Sequence, residues 1–514
     1  MTSETDQLFA RFGPRYKWLA TFTVMLGTLS MTLATTIVNV AIPDIMGAFG
    51  IPQSKAQWLS TGYLAAMTAC MLANAWALHA FGMRAAYVGA MSIFILVSVL
   101  GALSPTEDLV ILSRVAQGAM AGIIQPLAMT VIFRVFPPHQ RGLGMGIYGL
   151  GVVLGPAVGP AIGGVLVDWF SWRAVFYMPI PTCILGMVCA LFFTTGREDD
   201  TRVAFDWLGF GLLCASLTSL LWALSNGQRY GWESLLIQGT LMLAVVTAMA
   251  FVVWQLRSRN PLLNLRIFAV PGFAAGCVVG FAYGAGLFGT TYLIPLFVQE
   301  IQGFTATNAG LLLMPAGLAM ALSFPVAGAL SDRLPPQVPI GIGLVIVAWS
   351  TWMLGLADSY TSFWVMALWV LVGRVGMGLG LPSINSGSLK TLDMEQVSQG
   401  AGAINFSRQL GGALGVNLLS VLLDRRTQFH ADMLTETQTA DNPVTRDWMT
   451  RMEPYLSAAG VGEDARNAET FRLLGEVVYR EAYTLGFQDS YLALAVFFLI
   501  ALVPAWIMGR YAKR

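Results

Sequence analysis

The chain has 514 residues, 56% of them hydrophobic and only 11% charged, with a mean hydropathy of +0.66; a soluble domain is about a quarter charged, so an ordinary soluble fold is excluded. A formal net charge of +1 gives no basic field for a polyanion, and nothing resembles a nucleic-acid module. The five cysteines, Cys70, Cys183, Cys189, Cys214 and Cys277, lie in apolar stretches without metal-ligand spacing, so no metal is expected and each reads as a packing residue.

A hydrocarbon core of roughly 30 Å takes about 20 apolar helical residues to cross. Runs of that kind fall near 18–42, 56–78, 85–103, 109–133, 143–167, 174–195, 205–226, 235–255, 272–297, 307–330, 338–357, 362–388, 400–422 and 488–509. They predict an all-α polytopic membrane protein of fourteen spans. The first run is too long for a signal-peptide core and no A-x-A-like site closes it, so it reads as a retained span. Arg11, Arg15, Lys17, Arg84, Arg134, Arg141, Arg197, Arg202, Arg257, Arg259, Arg266, Arg333, Lys390, Arg510, Lys513 and Arg514 fall on one side, against Lys55, Arg173 and Arg229 in the opposite short loops. That asymmetry predicts both termini in the cytoplasm.

Along the chain, the first run ends in Asn39 and Asp44, and the fourth places Arg114 one turn before Gln117 on one helical face. The fifth reads GVVLGPAVGPAIGG from Gly151 to Gly164. In a soluble helix each interior Gly costs about 1 kcal/mol and each Pro about 3. Here Gly151, Gly155, Gly159 and Gly163 recur every four residues as a smooth stripe for close approach, with Pro156 and Pro160 bending the same helix and Gly164 at its end. A charge at mid-membrane costs at least about 2.5 kcal/mol, so Arg114, Arg374 and Arg408 ask for partners. Arg374, near the start of its run, is placed to snorkel toward an interface as readily as to act inside.

The chain also echoes itself. RVAQGAMAG at Arg114 returns as RVGMGLGLP at Arg374, AWALHAFG at Ala75 as GALSDRLP at Gly328, and Gly155 as Gly412, at offsets of 260, 253 and 257 (374 minus 114, 328 minus 75, 412 minus 155). The predicted layout is a tail at 1–16, a six-helix bundle at 17–196, two inserted helices at 197–268 and a second six-helix bundle at 269–514, interrupted by a polar insertion at about 424–487. Secondary transporters are built this way, from related bundles around a midplane site. An enzyme is not expected: there is no H-E-x-x-H, nucleophile elbow or Walker loop. FRLLGEVVYREAYTLGF within the insertion aligns Phe471, Leu474, Val478 and Leu485 as the stripe of an amphipathic helix.

On these residues the chain resembles the major facilitator superfamily, specifically its fourteen-span EmrB/QacA-type drug:proton antiporters. Arg114-x-x-Gln117-Gly118 is similar to the family's fourth-helix motif, and the 151–164 stretch matches the antiporter motif of the fifth helix at every glycine and proline. The resemblance implies a bacterial inner-membrane exporter of amphiphilic drugs or toxic compounds, working by alternating access with a proton gradient and no cofactor. It implies that the fifth helix faces the other bundle and seals the outer gate. A similar insertion in EmrB-like pumps implies a periplasmic adaptor protein and an outer-membrane channel as partners.

The family's G-x-L-x-D-R-x-G-like loop after the second helix survives in the second half as Gly328, Leu330, Asp332 and Arg333, and is degraded in the first to Gly82 and Arg84, with Ala75 and His79 in place of the first Gly and the acid. The first helix, LATTIVNVAIPDI, carries Ala34 where the resemblance leads us to expect the proton-binding aspartate. Asp44, Asp168 and Glu300 are the acids left to carry a proton, and the alternative is an exporter of one endogenous, fatty-acid-like compound coupled some other way. Asn39, Gln125, Tyr148, Tyr292, Met314, Asn385, Asn405 and Arg408 are the expected cavity lining.

Overall fold

The computed structural model describes residues 4–51, 53–56, 58–196, 204–439 and 441–511. Arg197 and Arg202, at the expected boundary after the first bundle, and Lys513 and Arg514 lie outside the described residues, as does the side chain of Pro160. The long helices are α1 (Tyr16–Phe49), α2 (Trp58–Ala102), α3 (Glu107–Val135), α4 (Arg141–Trp169), α5 (Ile180–Phe193), α6 (Trp207–Tyr230), α7 (Leu235–Arg257), α8 (Pro271–Glu300), α9 (Ala306–Arg333), α10 (Gln337–Leu354), α11 (Phe363–Leu389), α12 (Val397–Thr437), α13 (Pro443–Ala458) and α14 (Glu463–Ile500). Among the described residues, 11 helices are long and apolar enough to cross a membrane.

One of them, α2, has 45 residues, about twice what a crossing needs. It breaks at Gly82, whose φ of 77° and ψ of 168° suit only a residue without Cβ. Arg84, two residues on, donates from its backbone N to Thr195 O (2.9 Å) and from Nε to Thr194 O (3.0 Å), tying this corner to the end of α5. Its Nη2 pairs with Glu4 at 2.7 Å, so the leading helix Glu4–Phe12 is pinned to the same place.

Helices α1 to α5 pack as one bundle and α8 to α12 with α14 as another, while α6 and α7 pair with each other beside them. Asp206 starts that pair: it accepts from Gly209 N (2.9 Å), Trp254 Nε1 (2.7 Å) and Gln255 Nε2 (2.8 Å), joining both helices through one carboxylate. Lipid chains are as apolar as leucine, so helices here associate through close packing rather than water exclusion. Gly118 of α3 supplies it: a methyl at its Cα would penetrate the backbone carbonyl of Tyr63 on α2.

The two bundles touch at one end, that of the described termini. Asn74 Nδ2 bonds Ser398 O there (3.3 Å), and Gly142, Gly146 and Gly149 of α4 lie against Phe324, Gly328 and Asp332 of α9. At the far end Asn39, Asp44 and Met314 are exposed.

The polar stretch expected as an insertion at 424–487 is helical over most of its length. Helix α12 runs without a break to Thr437 and α14 from Glu463 to Ile500, so both project beyond the apolar zone, and α13 packs against α14. On the amphipathic stripe Leu474 is buried and Val478 and Leu485 half-buried, while Phe471 is exposed. At the base of the projection His430 Nε2 and Arg426 Nε meet Asp489 at 2.7 and 2.6 Å, fastening α12 to α14.

Gly118→Val drives a branched side chain into the Tyr63 backbone and is expected to cost about 1–3 kcal/mol, seen as a lower melting temperature in detergent. Gly89→Val, where a Cβ meets nothing within 4 Å, is the control and should leave that temperature unchanged. Equal melting of the two variants would contradict the close α2–α3 contact.

Candidate functional site

Three guanidiniums lie inside the spans, and the structure treats them differently. Arg114 is 1% exposed. Its Nε donates to Leu59 O (3.0 Å), its Nη1 to Gln117 Oε1 (2.8 Å), and its Cζ stands 4.2 Å from the centroid of Tyr63. Gln117 passes the network on to Ser98 Oγ (2.7 Å), and the Tyr63 hydroxyl donates to Met31 O (2.8 Å). The Arg-x-x-Gln spacing thus forms the hydrogen bond its helical period allows. Tyr63 and Ser98, which sequence reasoning missed, complete it. Arg114 Nη2 is buried with no partner.

Arg374 does not snorkel. It is 7% exposed, with Nη2 on Thr291 Oγ1 (2.7 Å) and Nη1 near Leu287 O (3.4 Å), because the first helix of its own bundle offers a hydroxyl and a carbonyl at its depth.

Arg408 is half-buried at the seam between the bundles. Its Nη2 donates to Asn405 Oδ1 (2.6 Å), and its guanidinium lies beside the Tyr148 hydroxyl. Asn405 reaches across to Met129 Sδ (3.3 Å) and Tyr148 donates to Gln125 O (3.2 Å), so Gln125, Tyr148, Asn405 and Arg408 come together from α3, α4 and α12. The other expected lining residues stand apart. Asn39 is exposed and accepts from Ser60 Oγ (2.6 Å). Tyr292 is 37% exposed beside Ser420, and Met314 is 44% exposed. Asn385 is buried in α11 with its Oδ1 unpaired. Asp44, Asp168 and Glu300 are exposed at the far end, whereas Ala34 is buried in the core of the first bundle.

Helix α4 divides its length between two neighbours. Gly142, Gly146 and Gly149 face α9 of the opposite bundle, but the stripe expected to face that bundle, Gly151, Gly155, Gly159 and Gly163, packs on α1 of its own, against Met25, Thr32, Thr36 and Ile37. Gly164 has only Val40 near it, at 4.0 Å, and Pro156 is exposed. Periodicity selects the smooth face of a helix, not the neighbour it meets.

Asp332 closes the seam. The first backbone N–H groups of a helix have no partner in their own turn, and the residue before α4, Gln140, makes no side-chain cap. Asp332 of the other bundle takes that place, accepting from Gly142 N at 2.7 Å and Leu143 N at 2.9 Å. Its carboxylate sits at the positive end of the α4 dipole with Lys390 Nζ 3.7 Å away. Gly328, one turn earlier, lets the backbones touch, while Arg333 is exposed. On the symmetry-related side His79 is exposed and lines a small cavity of about 50 Å³ with Trp76, Asp206, Asn260 and Gln399. There Asn74, bonded to Ser398 O, is the cross-bundle tie.

Asp332→Ala removes two charge-assisted bonds worth about 1.5–3 kcal/mol each before relaxation. Hydrogen exchange over residues 138–148 should accelerate at least about tenfold at the Gly142 and Leu143 amides. Unchanged protection there would refute the cap.

Comparison with known proteins follows this geometry. The family model described as Major Facilitator Superfamily matches residues 24–416. The chain is 28% identical over 481 residues to the uncharacterized MFS-type transporter YhcA of Bacillus subtilis, covering 93% of this chain and 90% of that one. It is 26% identical to the multidrug export protein EmrB of Haemophilus influenzae, with 95% of each covered. Among solved structures it shares the fold of the human organic anion transporter MFSD10, with a TM-score of 0.61 at 13% identity over 96% of this chain and 99% of that one. Two helical bundles meeting at a polar seam, a carboxylate lock across it and a family match over most of the length make this chain a multi-pass membrane transporter of the major facilitator superfamily.

Proposed function

We propose that the chain is a bacterial inner-membrane exporter of amphiphilic compounds, drugs or toxic molecules among them, that works by alternating access with both termini in the cytoplasm and exchanges its substrate for protons. The observation that carries this reading is the one-ended contact between bundles: they are locked where Asp332 caps α4 and separate toward the end where Asn39, Asp44 and Met314 are exposed. With the Lys/Arg-rich loops in the cytoplasm, that is an outward-facing state, the one from which an exporter releases cargo. The names of two relatives, the multidrug export protein EmrB and the multidrug resistance protein B homolog of Mycobacterium tuberculosis, agree with it.

Proton exchange rests on the likeness of the fifth-helix stretch to antiporters. Its carrier is not in the usual place, because Ala34 has no titratable group and is buried among apolar neighbours. Asp44 lies ten residues along the same helix, about 15 Å at helical rise, and is the acid we assign. A dye trapped in proteoliposomes should report substrate-triggered proton flux that Asp44→Asn abolishes. Substrate movement without proton flux favours the second reading, export of an endogenous, fatty-acid-like compound by another coupling, which Ala34 supports.

The projection formed by α12, α13 and α14 lies on the extracytoplasmic side in this orientation and carries exposed Val444, Tyr455 and Phe471. We assign it to a periplasmic adaptor that leads to an outer-membrane channel. Removing residues 443–458 should abolish copurification with a coexpressed periplasmic adaptor that binds the full chain while leaving the spans folded; undiminished copurification would rule this surface out.

A further inference from the structure

Three guanidiniums lie at depth within the spans, and the carboxylates lie toward the span ends. Among the described residues no carboxylate lies within ion-pair distance of Arg114, Arg374 or Arg408. Asp44, Asp168 and Glu300 sit at the far end, and Asp332, at the opposite end, is held by two backbone amides. Arg114 and Arg374 are sealed inside their bundles, Arg114 against the Leu59 carbonyl, the Gln117 amide and the Tyr63 ring, Arg374 against the Thr291 hydroxyl. Arg408 is not sealed. It is half-buried, roughly 16 Å along α12 from Val397 at helical rise, and its polar partners are Asn405 and the Tyr148 hydroxyl, neither of them charged. A half-buried guanidinium with five donors and only neutral partners, next to an Asn405 that packs on Met129, fits an anionic oxygen group with an apolar body attached.

We propose that Arg408, with Asn405 and Tyr148, is the anchor for an amphiphilic organic anion, a carboxylate or sulfonate, so that the cargo itself supplies the negative charge that the spans lack. This inference rests on the export reading and names its substrate class. The neutralising charge then arrives with each cargo and leaves with it, which matches an α1 carrying Ala34. An anion moving outward also runs down an inside-negative potential.

The test uses the full chain in nanodiscs, with 1-anilinonaphthalene-8-sulfonate as the fluorescent probe and empty nanodiscs as the reference. Saturable probe binding is expected, displaced by decanesulfonate and not by decyltrimethylammonium. Arg408→Gln should weaken it by about tenfold or more, and Arg408→Lys, which keeps the charge, by less. Displacement by the cation as readily as by the sulfonate in the unaltered protein, or undiminished affinity in Arg408→Gln, overturns the proposal. Anion binding as expected, in proteoliposomes that export no anion under an inside-negative potential, leaves the site standing and overturns the export reading.

Discussion

Two backbone amides at the start of a helix, unsatisfied within their own helix, meet one carboxylate from the opposite bundle. The bonds from Gly142 and Leu143 to Asp332 hold this conformation, since they are charge-assisted, sit at the helix dipole's positive end and join elements 190 residues apart. Removing the carboxylate would leave both amides without their partner.

Everything above the latch follows from the cost of polar groups in an apolar medium. Arg114 and Arg374 are tolerable because carbonyls and hydroxyls of neighbouring helices receive them. Those neighbours come close enough because glycines such as Gly118 leave no side chain between the backbones. Helix α4 uses both devices, its first glycines touching the other bundle and its later ones touching α1. The Gly151–Gly163 packing thus lies inside one bundle and the Gly142–Gly149 contacts lie between the two, a division of labour along a single helix.

Much of this was legible in the sequence, and the rest was not for definite reasons. Apolar run length found the helices, because a span must satisfy its own backbone. The Arg114–Gln117 bond followed from one helical turn. By contrast, the burial of Arg374 depends on a hydroxyl 83 residues away, Thr291, which no local count reveals. The fifth-helix stripe was visible as a smooth face while its neighbour was not. The stretch 424–487 read as a polar insertion with one amphipathic helix because hydropathy falls there, and what hydropathy did not reveal is that α12 and α14 run into it without a break. The cap by Asp332 joins the end of α9 to the start of α4, which only the assembled bundles bring together.

The central claim is that the bundles close at the termini end and part at the other, and exchange these states as one body rocks on the second. Distances between spin-label pairs at both ends of the same protein in nanodiscs test it most directly: one pair at His139 and Leu334, one at Asp44 and Met314. The account predicts a short inner and a long outer distance in the resting protein, and a second population in which the inner lengthens as the outer shortens. Distances at the two ends that change together, or inner labels far apart with outer labels close in the resting protein, would contradict it.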